Sequence, residues 1–234
     1  MSWLRPFGPT GSRPVLVCLP QAGAGCGVFR SWQDLLGDEV SVVGVQLPGR
    51  ENRFTDPPPE SFAHAVAEIV AALVDLPRPT VLFGHSLGGL LGYEIARALP
   101  DPPEALVVAA SQPPHHSGEM AGGIARDTDE GFTRTLAGKG LDEEMRELAL
   151  GVLRQDAELA RTYEDPAGAP VPCDLHVWGG ATDELVSGAD LAEWRSYAGR
   201  AFHLRQFPGG HDFCLEDAAV PVTVRALLQA RQEV

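Results

Sequence analysis

Residues 81–99, VLFGHSLGGLLGYEIARAL, place one serine between two glycines, with an apolar β-type run before it and a helix-type run after it. No other stretch constrains the fold as strongly. A serine on a sharp strand-to-helix turn leaves no room for side chains two positions before or after it, and Gly84 and Gly88 meet that demand. The turn would lift the Ser86 hydroxyl over the end of a strand, at the start of a helix whose dipole favours negative charge. A bare G-x-S-x-G occurs by chance in a glycine-rich chain, so the weight rests on the strand and the helix that flank it.

The rest of the chain repeats the alternation. Strand-like runs occur at 14–20 (PVLVCLP), 40–49, 80–84, 104–111, 173–179 and 201–207. Helical spacing occurs in VFRSWQDLLGD, at 61–76 (started by Glu60 or Ser61, stopped by Pro77), and at 86–100, 187–198 and 218–232. Strands alternating with helices predict an α/β fold with a mostly parallel, doubly wound central sheet flanked by helices. Residues 112 to about 168 break the pattern. They carry no strand signal and predict two helices, near 128–137 and 142–163. We read them as a helical lid insertion over the carboxyl edge of the sheet, within one domain spanning 1–234. Met120, Phe132, Leu136 and Leu148 are its candidate inward-facing residues, although ordinary packing explains them equally well.

A serine nucleophile needs a base, and the base needs an acid to fix its tautomer. Of seven histidines, His64, His176 and His203 fall inside predicted elements. His85 is expected to point away from Ser86, into the flank of the turn. His115 and His116 are adjacent in a loop, poorly placed to share one metal, and are read as solvated. His211, in FPGGHDF (207–213), follows the last strand in a glycine-rich loop, at the same sheet edge as Ser86. Asp183, in HVWGGATDELV (176–186), likewise follows a strand. The order Ser86, Asp183, His211 is the α/β-hydrolase order of nucleophile, acid and base. An oxyanion hole would take one donor from the Leu87 backbone N–H and a second from the loop after the first long strand, at Gln21 or Ala22.

Composition excludes other classes. A formal net charge of −14 leaves no basic face for nucleic acid. An acidic body is also repelled by anionic membrane surfaces, and no apolar run is long enough to span a bilayer. Cys18, Cys26, Cys173 and Cys214 show no metal-ligand spacing and are read as reduced, structural thiols. The N-terminal MSWLRPFGPTGSRP lacks a secretory apolar region, so a cytoplasmic protein is expected. A metal is not called for, nor any cofactor. A monomer is the expected state.

Beyond the serine turn, the chain carries Trp3-Leu4-Arg5-x-Phe7, LVCLPQAGAG, VQLPGRENR (45–53), ASQPP (110–114), VLRQDAELARTYE (152–164), WGGATDELV and FPGGHDF. With these it resembles the stand-alone type II thioesterases of polyketide synthase and nonribosomal peptide synthetase systems over nearly its whole length. QLPGRENR is the most diagnostic segment, because a generic serine hydrolase has no need of it. Ser86, Asp183 and His211 match that family's triad. The chain departs from the family in reading Pro20-Gln21-Ala22-Gly23-Ala24 where Pro-His-Ala-Gly-Gly is usual, and in Asp212 after the histidine, where an aromatic often stands.

The resemblance implies hydrolysis of acyl groups from the phosphopantetheine arm of acyl or peptidyl carrier proteins, to edit misprimed or stalled chains. The alternatives are a generic serine esterase or acyltransferase of the same fold, and a medium-chain fatty acyl-carrier thioesterase. Carrier proteins are commonly acidic too, so a local basic patch is expected near the site, with Arg50, Arg53, Arg126 and Arg134 as candidates by position.

Overall fold

The computed structural model describes residues 2–9, 11, 13–76, 80–118, 122, 142–164 and 168–229. Its strands are β1 (Leu4–Pro6), β2 (Val15–Leu19), β3 (Ser41–Val45), β4 (Thr80–His85), β5 (Ala105–Ala109), β6 (Asp174–Gly180) and β7 (Phe202–Phe207). They form one sheet in the order β1-β3-β2-β4-β5-β6-β7. β1 pairs antiparallel to β3 and every other pairing is parallel. The helices are α1 (Arg30–Leu36), α2 (Phe62–Leu73), α3 (Leu87–Ala98), α4 (Glu143–Arg161), α5 (Gly188–Glu193), α6 (Phe213–Glu216) and α7 (Ala219–Gln229).

The central strands β2, β3, β4 and β5 are buried along their whole length. A parallel sheet covered on both faces requires that, and it explains why these strands read as continuous apolar runs. Successive side chains then go to opposite faces. Val15, Val17 and Leu19 join a core with residues of α2, α3 and α4. Leu16 and Cys18 join a second core with Phe29, Trp32 and Leu36 on one side and Val220, Val224 and Leu228 of α7 on the other. The result is a three-layer sandwich, matching the doubly wound expectation.

Two elements escaped the sequence pattern. β1 has three residues, one a proline, and is only partly buried, so it offers no periodicity. It is held by pairing with β3 and by Trp3, which lies under the Arg53 guanidinium and donates Nε1–H to Glu68. α6 is a single turn after the last strand. The predicted helix at 187–198 is α5 followed by a tighter 3₁₀ turn, Trp194–Tyr197, whose rings pack edge-on against Tyr93. The predicted helix at 142–163 is α4, with the Asp142 side chain capping the Met145 N–H. The one predicted near 128–137 lies outside the described residues, as do Met120, Phe132 and Leu136. Leu148 lies on α4 and is exposed.

α4 packs over the sheet's carboxyl edge and ties the helical layer together. Thr162, its C-cap, accepts the Phe62 N–H at the start of α2, and Tyr163 O–H donates to Glu94 of α3. No described helix is long and apolar enough to cross a membrane.

Candidate active site

Ser86 sits between β4 and α3 with φ 53° and ψ −117°. A left-handed backbone at a non-glycine residue is strained by roughly 1–3 kcal/mol, and such strain persists where surrounding structure fixes it. Here Ser86 N–H donates to Ala109 O of β5, and Ser86 O accepts from Gly89 N–H, both at 2.8 Å. A Cβ at Gly84 would collide with the Gly88 carbonyl, and one at Gly88 with the Leu19 carbonyl. The glycine spacing is therefore a steric requirement of the turn. Gly88 does a second job, since its bare Cα lets the chain leaving β2 press against the first turn of α3.

Asp183 lies in the turn after β6, and His211 follows β7. His211 Nδ1 is 3.0 Å from Asp183 Oδ2. Asp183 Oδ1 accepts the Leu185 and Val186 N–H groups at 2.8 and 3.2 Å. Burial pushes the Asp183 carboxyl up, but the His211 hydrogen bond, the histidine's charge and the two backbone donors outweigh it and hold it below its usual range. An ionised Asp183 accepts Nδ1–H, leaving the lone pair on His211 Nε2. The loops that carry Asp183 and His211 are laced together, Ala181 N–H donating to Phe207 O at 2.8 Å and Thr182 N–H to Gly209 O at 3.0 Å.

Ser86 and His211 share no hydrogen bond in this structure. They are neighbours through His85, whose ring centroid lies 5.2 Å from that of His211. Long serine–base separations are common without substrate and close in the reacting complex. The loop after β2 lies against α3 as described, with Leu87 the first residue of that helix and Gln21 and Ala22 two and three residues past Leu19. The first N–H groups of a helix have no partner within it, and that of Leu87 is the first of α3.

The thioesterase domain family matches residues 14–230. The chain belongs to that family. Among curated relatives, thioesterase PikA5 of Streptomyces venezuelae is 33% identical over 229 residues, covering 92% of this chain and 80% of the relative. The type II thioesterase BorB from the borrelidin biosynthetic cluster superposes with a TM-score of 0.83, at 28% identity, covering 97% of this chain and 96% of that one. RedJ, a thioesterase from the prodiginine biosynthetic pathway of Streptomyces coelicolor, superposes with a TM-score of 0.74, at 29% identity over 92% and 86% of the two chains. The chain is thus an α/β-hydrolase-fold thioesterase close to the type II thioesterases, as the sequence resemblance implied.

One expectation about this thioesterase needs correction. Arg50 and Arg53 do not form an exposed basic patch. Both are buried. Arg50 makes a two-pronged ion pair with Asp156 of α4, each prong 2.6 Å long. Arg53 bonds Asp56 and the Gln46 carbonyl. Arg126 and Arg134 lie outside the described residues. His115 is exposed, as expected of a solvated residue, but both histidines turn toward Glu193 and so share a partner.

Three contributors were missed from sequence. Arg50 and Asp156 both lie in segments that carry the family resemblance, yet nothing local shows that they meet across 106 residues. Asp156 also accepts the Gly23 N–H at 2.7 Å, so the pair pins the loop that holds Gln21 and Ala22. The third is His85. It is fully buried, with Nε2 2.9 Å from the His211 carbonyl and Nδ1 3.0 Å from the Gln21 side chain. His85 therefore bridges the loop that carries His211 and the loop that carries Gln21 and Ala22.

Burial, followed by the nearby His211, lowers the His85 pKa to about 3. A neutral ring has one N–H. Both ring nitrogens face oxygens, Nε2 the His211 carbonyl and Nδ1 the Gln21 Oε1, so the single N–H donates to one of the two.

The sign of the linkage follows. Between about pH 3 and 6.5 the unfolded chain binds a proton at this position that the folded chain does not. Stability is therefore lost as pH falls through that window, by up to about 1.4 kcal/mol per pH unit. Asp183, lowered in the folded state, adds its loss only below the ordinary carboxylate range. Urea unfolding at pH 5 to 6.5 should show a slope shallower by about that amount in His85→Asn than in wild type. Parallel pH dependences would contradict a neutral, buried His85.

Proposed function

We propose that this thioesterase hydrolyses acyl thioesters carried on the phosphopantetheine arm of acyl or peptidyl carrier proteins, clearing misprimed or stalled chains from polyketide or nonribosomal peptide assembly. The observation that carries the reading is the Asp183–His211 pair held beside a strained Ser86 elbow, in a chain of the thioesterase family. The biosynthetic settings named for BorB and RedJ support the choice of substrate class.

Ser86 Oγ attacks the thioester carbonyl carbon while His211 Nε2 takes its proton. The N–H groups of Leu87 and of Gln21 or Ala22 receive the oxyanion. Collapse breaks the C–S bond, and His211 returns the proton to the departing sulfur. The thiol leaves readily because its pKa is only about 8.5. Water, deprotonated by His211, then attacks the acyl-serine ester and frees the acid and Ser86. The serine, the histidine and ordered backbone donors suffice for each step. α4, which packs over this edge, is the described part of the lid that the sequence leads one to expect. Four buried, free cysteines suit a reducing compartment, which supports a cytoplasmic location.

The test is intact mass spectrometry of carrier proteins loaded with acetyl to decanoyl groups, after exposure to wild type and to Ser86→Ala. Serine-dependent loss of the acyl mass is the expected result, and its chain-length profile sizes the pocket. Carriers left fully loaded while small esters are cleaved would point to a generic esterase.

A further inference from the structure

We infer that His115, His116 and Glu193 form a binding site for one transition-metal dication of the zinc class, separate from Ser86, Asp183 and His211. The two histidines lie on a 3₁₀ turn, Pro114–His116, just after the chain leaves β5. Glu193 is the last residue of α5. His115 Nε2 lies 2.7 Å and His116 Nε2 3.6 Å from Glu193 Oε2, and one donor atom from each residue falls within 4.8 Å of the others. Ligand atoms around a tetrahedral zinc at about 2.0–2.1 Å are separated by roughly 3.3 Å. Small ring rotations therefore bring all three onto one ion. Adjacency does not prevent this. The turn sets the two rings at 84° with centroids 4.3 Å apart, so both Nε2 atoms serve the same point.

A second observation points the same way. The far nitrogen of His115, Nδ1, lies 2.9 Å from the Tyr197 hydroxyl. Metal-bound histidines almost always hydrogen-bond through the other ring nitrogen, which fixes tautomer and orientation. Tyr197 is itself fixed. It is buried, accepts the His115 backbone N–H at 3.2 Å, and packs against Tyr93 and Trp194. Trp194 Nε1–H in turn donates to the Ser111 carbonyl at 2.8 Å. Both walls of the site thus rest on one aromatic cluster, and its donors are brought together before any ion arrives.

Donor chemistry selects the ligand. Two imidazoles and one carboxylate suit zinc, copper or nickel, whereas magnesium and calcium prefer all-oxygen sets. The three side chains keep 41%, 26% and 45% of their exposure, enough for an ion to enter and keep a water ligand. A net charge of −14 raises the local cation concentration. The bound ion would clamp the stretch leaving β5 to α5, a structural role. The four cysteines do not compete, being buried with their thiols pushed up.

The experiment is calorimetric titration of untagged, chelator-treated protein with zinc chloride at pH 7.5, with magnesium chloride as control. Expected is one zinc per chain with a Kd of ~10 µM or tighter, and no magnesium heat. His115→Ala, His116→Ala and Glu193→Gln should each weaken binding at least about tenfold, and Tyr197→Phe by about tenfold through the lost orientation of His115. Melting of wild type should rise by about 5 °C or more at a hundredfold excess over Kd, and that of His115→Ala should not. Retained turnover of a small thioester will show that the variants are folded. Zinc binding weaker than ~100 µM, or affinity unchanged in His115→Ala, would overturn the site and leave an ordinary histidine–glutamate hydrogen bond.

Discussion

Ser86→Ala is expected to lower thioester turnover by about 10⁴-fold or more, with His211→Ala equally damaging and the double variant no worse, because the two act as one unit. Asp183→Asn should fall by about 10³- to 10⁴-fold, for a reason visible in the structure. Asp183 Oδ1 already accepts two backbone N–H groups. An asparagine would keep its carbonyl there and turn its NH₂ toward His211. Nδ1 would then have to accept, and the proton would move to Nε2, where the base is needed. Single-turnover acylation measured across pH checks this, since raising the pH does not cure a wrong tautomer. Near wild-type turnover in Asp183→Asn would remove Asp183 from the acid's place. Stability adds an independent check. Ser86→Gly relieves a left-handed φ of 53° and should leave the fold no less stable, by denaturant unfolding, while abolishing turnover.

The parts of this site that could be read from sequence are those written in local geometry. Gly84 and Gly88 announce the elbow because a Cβ at either meets backbone within the same turn and the loop beside it. His211 and Asp183 could be found because each follows a strand of a parallel sheet, and such sheets gather chemistry at their carboxyl ends. The sheet itself was legible from continuous apolar runs, which burial on both faces demands. What stayed hidden depends on long-range contact. β1 exists only through its pairing with β3. Arg50 reads as a surface charge until Asp156 is brought to it. His85 reads as a bystander because its neighbours, Gln21 and His211, arrive from two other strands. Glu193 had no reason to be linked with His115 before α5, packed on β6, was brought beside the turn that follows β5.

The second large effect concerns Asp156. Its carboxylate takes two charged N–H groups from Arg50 and the Gly23 backbone N–H, all within 2.7 Å, in a site with almost no solvent exposure. Asp156→Ala leaves a guanidinium buried without its counter-charge and an orphaned backbone donor. The expected loss is about 3–5 kcal/mol, a large share of the roughly 5–15 kcal/mol typical of whole domains.

Such a pair need not be a net stabiliser, since replacing both partners by apolar residues of similar size often costs little. That distinction separates stability from positioning. Arg50→Met with Asp156→Leu should recover most of the stability lost by Asp156→Ala, as measured by urea unfolding. Turnover should not recover with it, because Gly23 still lacks its acceptor and the adjacent Gln21 and Ala22 N–H groups are no longer held. A double variant restored in both stability and turnover would make the ion pair a packing feature alone. Asp156→Ala within about 1 kcal/mol of wild type would remove even that. Stability restored without turnover would assign QLPGR, part of the segment that a generic serine hydrolase does not need, together with RQDAE, to aiming the loop that carries Gln21 and Ala22.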